Sequence, residues 1–311
     1  MTTVNHPAPR PPLAVITVTY SPGAHLAALA DSLAQATAQD TVLVLADNGS
    51  TDGSVEAAAY RGAVLLRTGG NLGYGRAINV AARWLDTPQA PQVDPDFLLV
   101  VNPDVALTPG SVDALLDCAR RHPRAGAIGP RIQQPDGSAY PSARAIPRLS
   151  TGIGHAVLGQ VWPGNPWTRR YRSGDGAAMA RERTAGWLSG SCLLVRRQAF
   201  AEIGGFDERY FMYMEDVDFG DRLARAGWEN VYCPESVITH DQGHVAGSHR
   251  GLTLPAHHAS VYRFMADRLP GWPWAPVRLV LRAGLAARCR LQLGLDRVRA
   301  SACETGSGPD S

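Results

Sequence analysis

The fold class is decided by the stretch LAVITVTYSPGAHLAALADSLAQATAQDTVLVLAD, residues 13–47. Its two ends are short runs rich in β-branched residues and leucine, which is typical of buried strands. Residues 23–36, which lie between these runs, have the spacing of an amphipathic helix. Two strands joined by such a helix form a right-handed βαβ unit, in which the strands are parallel. The stretch therefore predicts an α/β protein with a mostly parallel sheet.

The same alternation continues to about residue 102, with strands expected at 63–69 and 97–102 and helices at 53–62 and 75–85. After Pro123 the pattern changes to a strand, a PDGS turn and a returning strand. A segment rich in Gly, Pro and Arg follows at 144–184, and its length is typical of functional loops. Beyond it we expect a strand and short helix within 186–207, an amphipathic helix at 215–227 and a last strand at 231–240.

Composition excludes several classes of protein. A net charge of +2 is too small to favour a nucleic-acid partner. The five cysteines are scattered and form no CxxC pair, so that neither a disulfide framework nor a zinc ribbon is indicated, and a reducing cytoplasm fits best. The first twelve residues lack the apolar core of a signal peptide, and no window is apolar enough for a spanning helix.

Polar residues follow three of the predicted strands, at the sheet edge where α/β proteins bind ligands. Asn102-Pro103-Asp104 ends one strand, and the alternative reading is a simple Asx turn followed by a helix cap at Thr108. Asp47 ends another strand, before a glycine-rich turn that does not match a calcium loop. The third stretch, GGNLGYGRAIN (69–79), fails the dinucleotide fingerprint at its last glycine, which disfavours a Rossmann dehydrogenase.

The adjacent acids Glu215 and Asp216 form the strongest local signal, because an aromatic and methionine-rich wall, YFMYM (210–214), precedes them. A carboxylate beside another acid and against apolar walls suits a general base with a tuned proton affinity. The alternative is that acids simply favour the first turn of a helix and that the aromatic residues are core. His240, at the end of the last strand, is by itself more often structural than a ligand.

Taken together and in order, these stretches resemble a family-2, GT-A-fold inverting glycosyltransferase over roughly residues 13–250. The motifs are ITVTYSPG, LADNGSTDGS, GGNLGYGRAIN, VVNPDVALTPG, GWLSGSCLLVRR and GGFDERYFMYMEDVDFGDRLARAGW, followed by His240. Within the family the chain resembles actinobacterial rhamnosyltransferases. Those enzymes move L-rhamnose from dTDP-L-rhamnose to N-acetylglucosaminyl-diphospho-polyprenol, in the linker between peptidoglycan and arabinogalactan.

The resemblance implies a GT-A fold with a Rossmann-like nucleotide-binding half, and it assigns roles to individual residues. Asp216 would be the catalytic base and Glu215 would position it, while Asp104 and His240 would hold a divalent cation, Mg²⁺ or Mn²⁺. The implied acceptor-binding residues are Trp187, Ser189, Gly190 and Ser191. The implied donor-binding residues are Tyr20, Asp47, Asn48, Asn71, Gly73, Asn102 and Asp104.

One departure from the family pattern bears on the metal. Asn102 stands where the first acid of a DxD motif is usual, so it offers a neutral oxygen and weakens metal binding. Two alternatives stay open. A same-fold enzyme with another donor, galactofuranosyl or glucosyl, would carry the same motifs, and an inactive GT-A module could bind lipid-linked glycans without turnover.

The expected domains are a flexible N-terminus (1–12), the GT-A domain (13–255), a helical extension (256–300) and a disordered tail (301–311). On a helical wheel Arg278, Arg282 and Arg290 share one arc with Arg297, while Val280, Leu291 and Leu295 share another. With Trp272 and Trp274 before it, this helix fits an anionic membrane surface, although it could equally pack its apolar arc on the catalytic domain. We therefore expect a cytoplasmic protein, peripheral on the inner face of the plasma membrane, that acts on a lipid-linked acceptor, and a homo-oligomer is an open alternative to a monomer.

Overall fold

The computed structural model describes residues 10–147, 178–241 and 250–305. The chain divides into two units. The larger comprises Met1–Tyr210 with Glu215–Gln242, and the smaller comprises Phe211–Met214 with Gly243–Ser311. The predicted boundary between residues 255 and 256 lies within the helix Arg250–Ala266.

The larger unit is built on a twisted sheet. The strands of this unit are β1 Leu13–Thr19, β2 Thr41–Asp47, β3 Val64–Arg67, β4 Phe97–Val101, β5 Val105–Leu107, β6 Ala125–Gln133, β7 Ala139–Tyr140, β8 Ala143–Arg144, β9 Arg183–Ala185, β10 Trp187–Leu188, β11 Cys192–Arg196 and β12 Glu229–His240. Of these, β8 and β10 form a separate two-stranded sheet. Its helices are α1 Ala24–Ala36, α2 Ser54–Tyr60, α3 Tyr74–Leu85, α4 Ser111–Arg121, α5 Arg197–Glu202 and α6 Glu215–Arg225, with a 3₁₀ turn at Ala178–Ala180.

The strand order is β3-β2-β1-β4-β11-β6-β12-β5. The first four strands are parallel, as is the pair β6 and β12, whereas β11 runs antiparallel to both of its neighbours. This confirms the predicted α/β class with a mostly parallel sheet. The hairpin from β6 to β7 across the PDGS turn is also as predicted. The stretch at 148–177, most of the predicted functional loop, lies outside the described residues.

Hydrophobic residues cover both faces of the sheet. On one face α3 packs beside a group of aromatic rings in which Phe206 and Phe219 stack with their centroids 4.4 Å apart. On the other face α1 and α4 cover buried side chains of β1, β4 and β11. Because helices shield both faces, the polar residues that end the parallel strands are left at one edge, where a ligand can approach.

The reading of Thr108 as a helix cap is wrong. Helix α4 begins later, at Ser111, and Gly110 before it adopts a left-handed conformation with φ of 72°. The Thr108 hydroxyl instead donates to the Val237 carbonyl at 2.7 Å. This follows from β5, a short strand directly after Asp104 that pairs antiparallel with β12 and turns Thr108 toward that strand.

In the smaller unit, α7 (Arg250–Ala266) and α8 (Ala275–Thr305) pack together, and a 3₁₀ turn at Trp272–Trp274 precedes α8. The Ser260 hydroxyl donates to the Met212 carbonyl at 2.8 Å. Helix α8 runs past the predicted start of the tail at Ser301, while the rest of that tail, 306–311, and residues 1–9 of the predicted N-terminus lie outside the described residues. None of the described helices is both long enough and apolar enough to span a bilayer.

Candidate active site

Asp47 organises the turn that follows β2. One carboxylate oxygen accepts from the Thr19 hydroxyl and the Ser50 amide, each at 3.0 Å, and the other accepts from the Arg67 guanidinium at 2.9 Å. The Asp47 side chain has no exposed surface. A carboxylate held in this way fixes the backbone around it, and its contact with the nucleoside stays a prediction. Tyr20, which directly follows β1, is 38% exposed.

Asn48 ties the same turn to the loop before α3. Its side-chain amide donates to the Gly73 carbonyl at 3.1 Å and to the Asn71 side-chain oxygen at 3.3 Å. Its side-chain oxygen accepts from the Thr68 hydroxyl at 2.9 Å. The structure thus brings Asn48, Asn71 and Gly73 together, as expected of residues that shape one side of a site.

Asn102, Asp104 and His240 converge where β4 ends and β12 ends. Nε2 of His240 lies 3.1 Å from Asp104 Oδ1 and 3.5 Å from Asn102 Nδ2. The Asp104 and His240 side chains are mostly buried, with exposed fractions of 17% and 12%. His240 Nδ1 is buried without a hydrogen-bond partner. The alternative of an Asx turn at Asp104 is not what the structure has, because the carboxylate faces His240 instead.

The segment Ser189–Ser191 connects this corner to the acid pair. The Ser191 carbonyl accepts from the Asn102 amide at 2.8 Å, and the Ser189 amide donates to the Ser142 carbonyl at 2.8 Å. Between them, the Gly190 amide donates to Asp216 Oδ2 at 3.1 Å. A Cβ atom at Gly190 would lie 3.3 Å from that of Asp216, so a glycine here allows the close approach. The Ser189 and Ser191 hydroxyls lie 3.2 Å apart.

The two acids at the start of α6 differ in environment. Burial, reinforced by the charge of Asp216, raises the pKa of Glu215 to about 8, and Glu215 Oε2 has no hydrogen-bond partner. Burial also raises the pKa of Asp216, but amide donors from Gly190 and Val217 oppose that rise by stabilising its anion. At neutral pH Glu215 therefore holds a proton, and Asp216 is the one of the pair placed to accept a further one.

The chain enters α6 through a strained backbone. Tyr213 and Met214 have φ angles of 65° and 66°, in the left-handed region that residues other than glycine rarely adopt. Each such residue costs about 1–2 kcal/mol. Strain of this kind persists where the surroundings enforce it, commonly beside functional groups, and here it directly precedes the acid pair.

Two residues that the sequence did not single out belong to this site. The Tyr74 hydroxyl donates to the Gly190 carbonyl at 2.6 Å, and its pKa lies well above the usual value because of burial and the nearby charges of Glu215 and Asp216. Arg144 lies over the Trp187 ring, 5.5 Å from its centroid, and its charge lowers the pKa of Asp216. Tyr74 lies within the motif GGNLGYGRAIN, but its partner Gly190 is remote in the sequence. No local sequence pattern identified Arg144.

Trp187, predicted as an apolar platform for a sugar, is half-buried. Its indole N–H donates to the Ala145 carbonyl at 3.1 Å, and Arg144 covers part of the ring. Only part of this platform is open in the described conformation. We call the strand-end residues Asn102, Asp104 and His240, together with Ser189–Ser191, Tyr74 and Asp216, the catalytic edge.

Comparison with known proteins agrees with this geometry. The family model described as "Glycosyltransferase like family 2" matches residues 7–249. The chain is 54% identical over 286 residues to the N-acetylglucosaminyl-diphospho-decaprenol L-rhamnosyltransferase of Mycobacterium tuberculosis, covering 90% of this chain and 92% of that one. It is 27% identical to the rhamnosyltransferase WbbL of Escherichia coli K12, covering 65% and 73% of the two chains.

Solved structures share the fold at low identity. The mannosyltransferase PcManGT of Pyrobaculum calidifontis, solved with GDP-Man and Mn²⁺, superposes with a TM-score of 0.55 at 16% identity, over 97% of this chain and 77% of that one. GalNAc-T7, solved with UDP, GalNAc and Mn²⁺, gives a TM-score of 0.52 at 15% identity, over 75% of this chain and only 43% of that one. These likenesses support the GT-A fold.

Proposed function

The chain belongs to glycosyltransferase family 2, and we propose that it moves L-rhamnose from dTDP-L-rhamnose to a GlcNAc-diphospho-polyprenol acceptor. The proposed donor sugar and acceptor rest on the 54% identity to the M. tuberculosis rhamnosyltransferase, which extends over 92% of that enzyme. The transfer inverts the anomeric carbon and serves the linker between peptidoglycan and arabinogalactan.

Asp216 acts as the general base. The acceptor hydroxyl loses its proton to Asp216 as its oxygen bonds to the anomeric carbon, and the bond from that carbon to the nucleoside diphosphate breaks. A single displacement needs one base and no carboxylate nucleophile. Glu215 is protonated at neutral pH and is therefore a positioning residue, whereas the Gly190 amide holds Asp216 in place at 3.1 Å.

Asp104 and His240 suit a divalent cation. A carboxylate oxygen and an imidazole nitrogen 3.1 Å apart have the separation expected of two ligands of one ion, and the Asn102 side-chain amide lies beside them, with its nitrogen 3.5 Å from the same imidazole nitrogen. Bound there, Mg²⁺ or Mn²⁺ would offset the negative charge that develops on the leaving diphosphate. The carbonyl of Ser191 fixes the Asn102 backbone, so this corner and the base are held by one segment.

The test is a panel of nucleotide sugars with a lipid diphosphate-GlcNAc acceptor. We expect turnover with dTDP-L-rhamnose and little with UDP-galactofuranose, UDP-glucose or GDP-mannose. Preferred use of UDP-galactofuranose or UDP-glucose would establish the alternative donor instead. Binding of the lipid-linked glycan without turnover of any donor would establish the inactive module, which the joint presence of Asp104, Asp216 and His240 disfavours.

We also propose that α8 lies on the surface of an anionic membrane, where a polyprenyl acceptor resides. Arg278, predicted to face lipid, instead donates to the Gly271 carbonyl at 2.7 Å, and it packs toward α7 with Leu281 and Leu285. The opposite face leaves Leu279, Val280 and Leu291 exposed by 68%, 72% and 64%. Arg290 is also exposed and borders this face, which suits an apolar stripe among anionic headgroups, whereas Arg282 lies over the Tyr262 ring of α7, 5.9 Å from its centroid.

Vesicle sedimentation tests the membrane proposal. We expect the protein to sediment with vesicles containing phosphatidylglycerol, and Val280→Glu with Leu291→Glu to remove most of that binding while a short soluble acceptor is still used. Arg61→Glu, a charge reversal on the larger unit, is the matched control and should keep binding. Equal loss of vesicle binding and of turnover of the soluble acceptor, or unchanged sedimentation of the double variant, would contradict the proposal.

A further inference from the structure

A second group of metal-ligating side chains lies away from the catalytic edge, on α4, β12 and the segment before β9. Cys118 and His122 are four residues apart and share one side of α4, with His122 just past its end. Cys233 lies on β12, and Glu182 directly precedes β9, which pairs with β12. We call these four residues the Cys/His cluster.

The ligand atoms of the cluster are already close together. Those of Cys118, His122 and Glu182 all lie within 4.8 Å of one another, and so do those of Glu182, Cys233 and Glu235. His122 Nε2 is 2.7 Å from Glu182 Oε1, and the Cys233 thiol donates to Glu235 Oε2 at 3.5 Å and to the Ala114 carbonyl at 3.6 Å. Both cysteines are fully buried, whereas the His122 side chain is 30% exposed, which leaves a path from solvent.

We propose that the Cys/His cluster binds a structural zinc ion through Cys118, Cys233, His122 and Glu182. Two sulfur ligands and an imidazole favour Zn²⁺ over the Mg²⁺ or Mn²⁺ suited to oxygen ligands. Tetrahedral ligands of zinc are separated by roughly 3.3–3.8 Å, given bond lengths of about 2.0–2.3 Å, so the two groups of ligand atoms, which share Glu182, would close around one ion through side-chain movement. Binding releases the thiol protons to solvent.

The surroundings of Glu182 fit this role. Its Oε2 accepts from Arg121, while Oε1 faces His122, so one oxygen is anchored and the other is directed toward the ion. Two thiolates and one carboxylate carry one more negative charge than Zn²⁺ neutralises, and Arg121 supplies the matching positive charge. Outer groups that anchor a ligand in this way commonly tune metal affinity.

The position of the cluster suggests what the ion does. Glu182 lies in the short stretch between the 3₁₀ turn at Ala178–Ala180 and β9, whereas the other three ligands belong to α4 and β12. A zinc ion would therefore fasten this stretch to the sheet. With four protein ligands the site is closed, which is typical of structural rather than catalytic zinc.

Cobalt titration of the full-length, reduced, tag-free protein tests the proposal directly. After removal of bound metal with a chelator, we expect one equivalent of Co²⁺ to give the charge-transfer absorption of a thiolate–cobalt bond, and Zn²⁺ to displace it. Cys118→Ser and Cys233→Ser should abolish this band, while the matched control Cys289→Ser, a half-buried cysteine on α8, should keep it.

Variants at the exposed side of the cluster test the proposal independently, in case the cysteine variants misfold. His122→Gln and Glu182→Gln change partly exposed side chains and should lower Co²⁺ affinity by more than about 100-fold, and Arg121→Gln by about 10–100-fold. Absence of the band in the wild type, its persistence in Cys118→Ser, or a Cys118–Cys233 disulfide in reduced protein would each overturn the proposal. No outcome depends on glycosyl transfer, so the proposed function is tested separately.

Discussion

The pKa of a glutamate is shifted in opposite directions beside the catalytic edge and in the Cys/His cluster. Burial beside Asp216 raises the pKa of Glu215 to about 8, whereas a hydrogen bond from Arg121 lowers the pKa of Glu182 to about 2. The first carboxyl is kept away from compensating cations and the second is given one. The difference indicates that the edge is arranged for proton transfer and the cluster for holding a fixed charge.

Unpaired polar atoms follow the same division. At the catalytic edge His240 Nδ1 is buried without a hydrogen-bond partner. The same is true of Oε2 of Glu215, the residue directly before the base Asp216. Each such atom costs about 1–3 kcal/mol. In the cluster the described contacts pair His122 with Glu182 and the Cys233 thiol with Glu235. Stability is given up at the edge, where a substrate or ion can supply the missing partner.

Chelation should separate the two regions most strongly. Dialysis against a chelator is expected to lower transfer by more than about 10³-fold, because charge stabilisation by a cation is worth several kcal/mol. Adding Mg²⁺ or Mn²⁺ alone should restore activity, while one equivalent of Zn²⁺ should restore thermal stability but not activity, since the thiolate site takes it first. Initial rates and melting temperatures measure the two responses.

Full activity in excess chelator would contradict the cation at Asp104 and His240. In that case arginine side chains would have to neutralise the leaving group, and Arg144, close enough for its charge to affect Asp216, would be the first to test. Recovery of activity with one equivalent of Zn²⁺ would remove the proposed distinction between the two regions.

Substitution of the base should give the next largest effect. Asp216→Asn keeps the size and polarity of the side chain but removes its proton acceptor, so kcat should fall by about 10² or more with donor binding nearly unchanged. Cys118→Ser, assayed with Mg²⁺ present, is the control from the cluster and should keep kcat within about 3-fold. Near-normal turnover of Asp216→Asn would remove Asp216 from the mechanism.

How much of this could be read from the sequence depends on the range of each contact. The strands, the helices and the position of Asn102 and Asp104 at a strand end follow from local patterns. The antiparallel insertion of β11, which places the Ser191 carbonyl on the Asn102 amide, does not, because strand pairing between distant segments leaves no local signal.

The same limit explains the residues that were missed or read differently. Cys118 and Cys233 lie far apart in the sequence and formed no ligand motif, so the scattered cysteines gave no reason to expect a metal site. The contact between Asp47 and Arg67 also left no local signal, because it depends on the pairing of β2 with β3. For α8, periodicity identified the helix but could not tell which arc packs on α7.

The raised pKa of Glu215 predicts a pH-dependent change in stability. A folded pKa of about 8 exceeds the unfolded value of about 4.3, so this carboxyl stabilises the fold fully below pH 4 and the contribution is lost as pH rises through 8. The side chain of Glu215→Gln does not ionise, so the variant does not lose this stability as pH rises. Between pH 5 and pH 8.5 the variant should gain roughly 1–4 kcal/mol relative to wild type, at about 1.4 kcal/mol per pKa unit.

Urea unfolding at several pH values, in the presence of chelator, measures this gain. Glu208→Gln is the matched control, because hydrogen bonds from Asn79 and Arg83 outweigh partial burial and hold the pKa of that carboxyl below its usual range, so it stays ionised above pH 5 and its effect should not vary over the same range. A constant difference for Glu215→Gln would show that Glu215 is ionised in the fold and would erase the contrast between the two carboxyls.

The smallest effect comes from two tyrosine hydroxyls, one in each region. Tyr74 donates to the Gly190 carbonyl at 2.6 Å, and Tyr232, on β12 beside Cys233, donates to the Met179 carbonyl at 3.0 Å. Either change to Phe removes one hydroxyl-to-carbonyl bond, worth about 0.5–1.5 kcal/mol. Tyr74→Phe should also lower kcat by about 3–10-fold, because Gly190 holds Asp216, whereas Tyr232→Phe should leave kcat unchanged. Equal losses of kcat in both variants would mean that activity follows general stability rather than the position of Gly190.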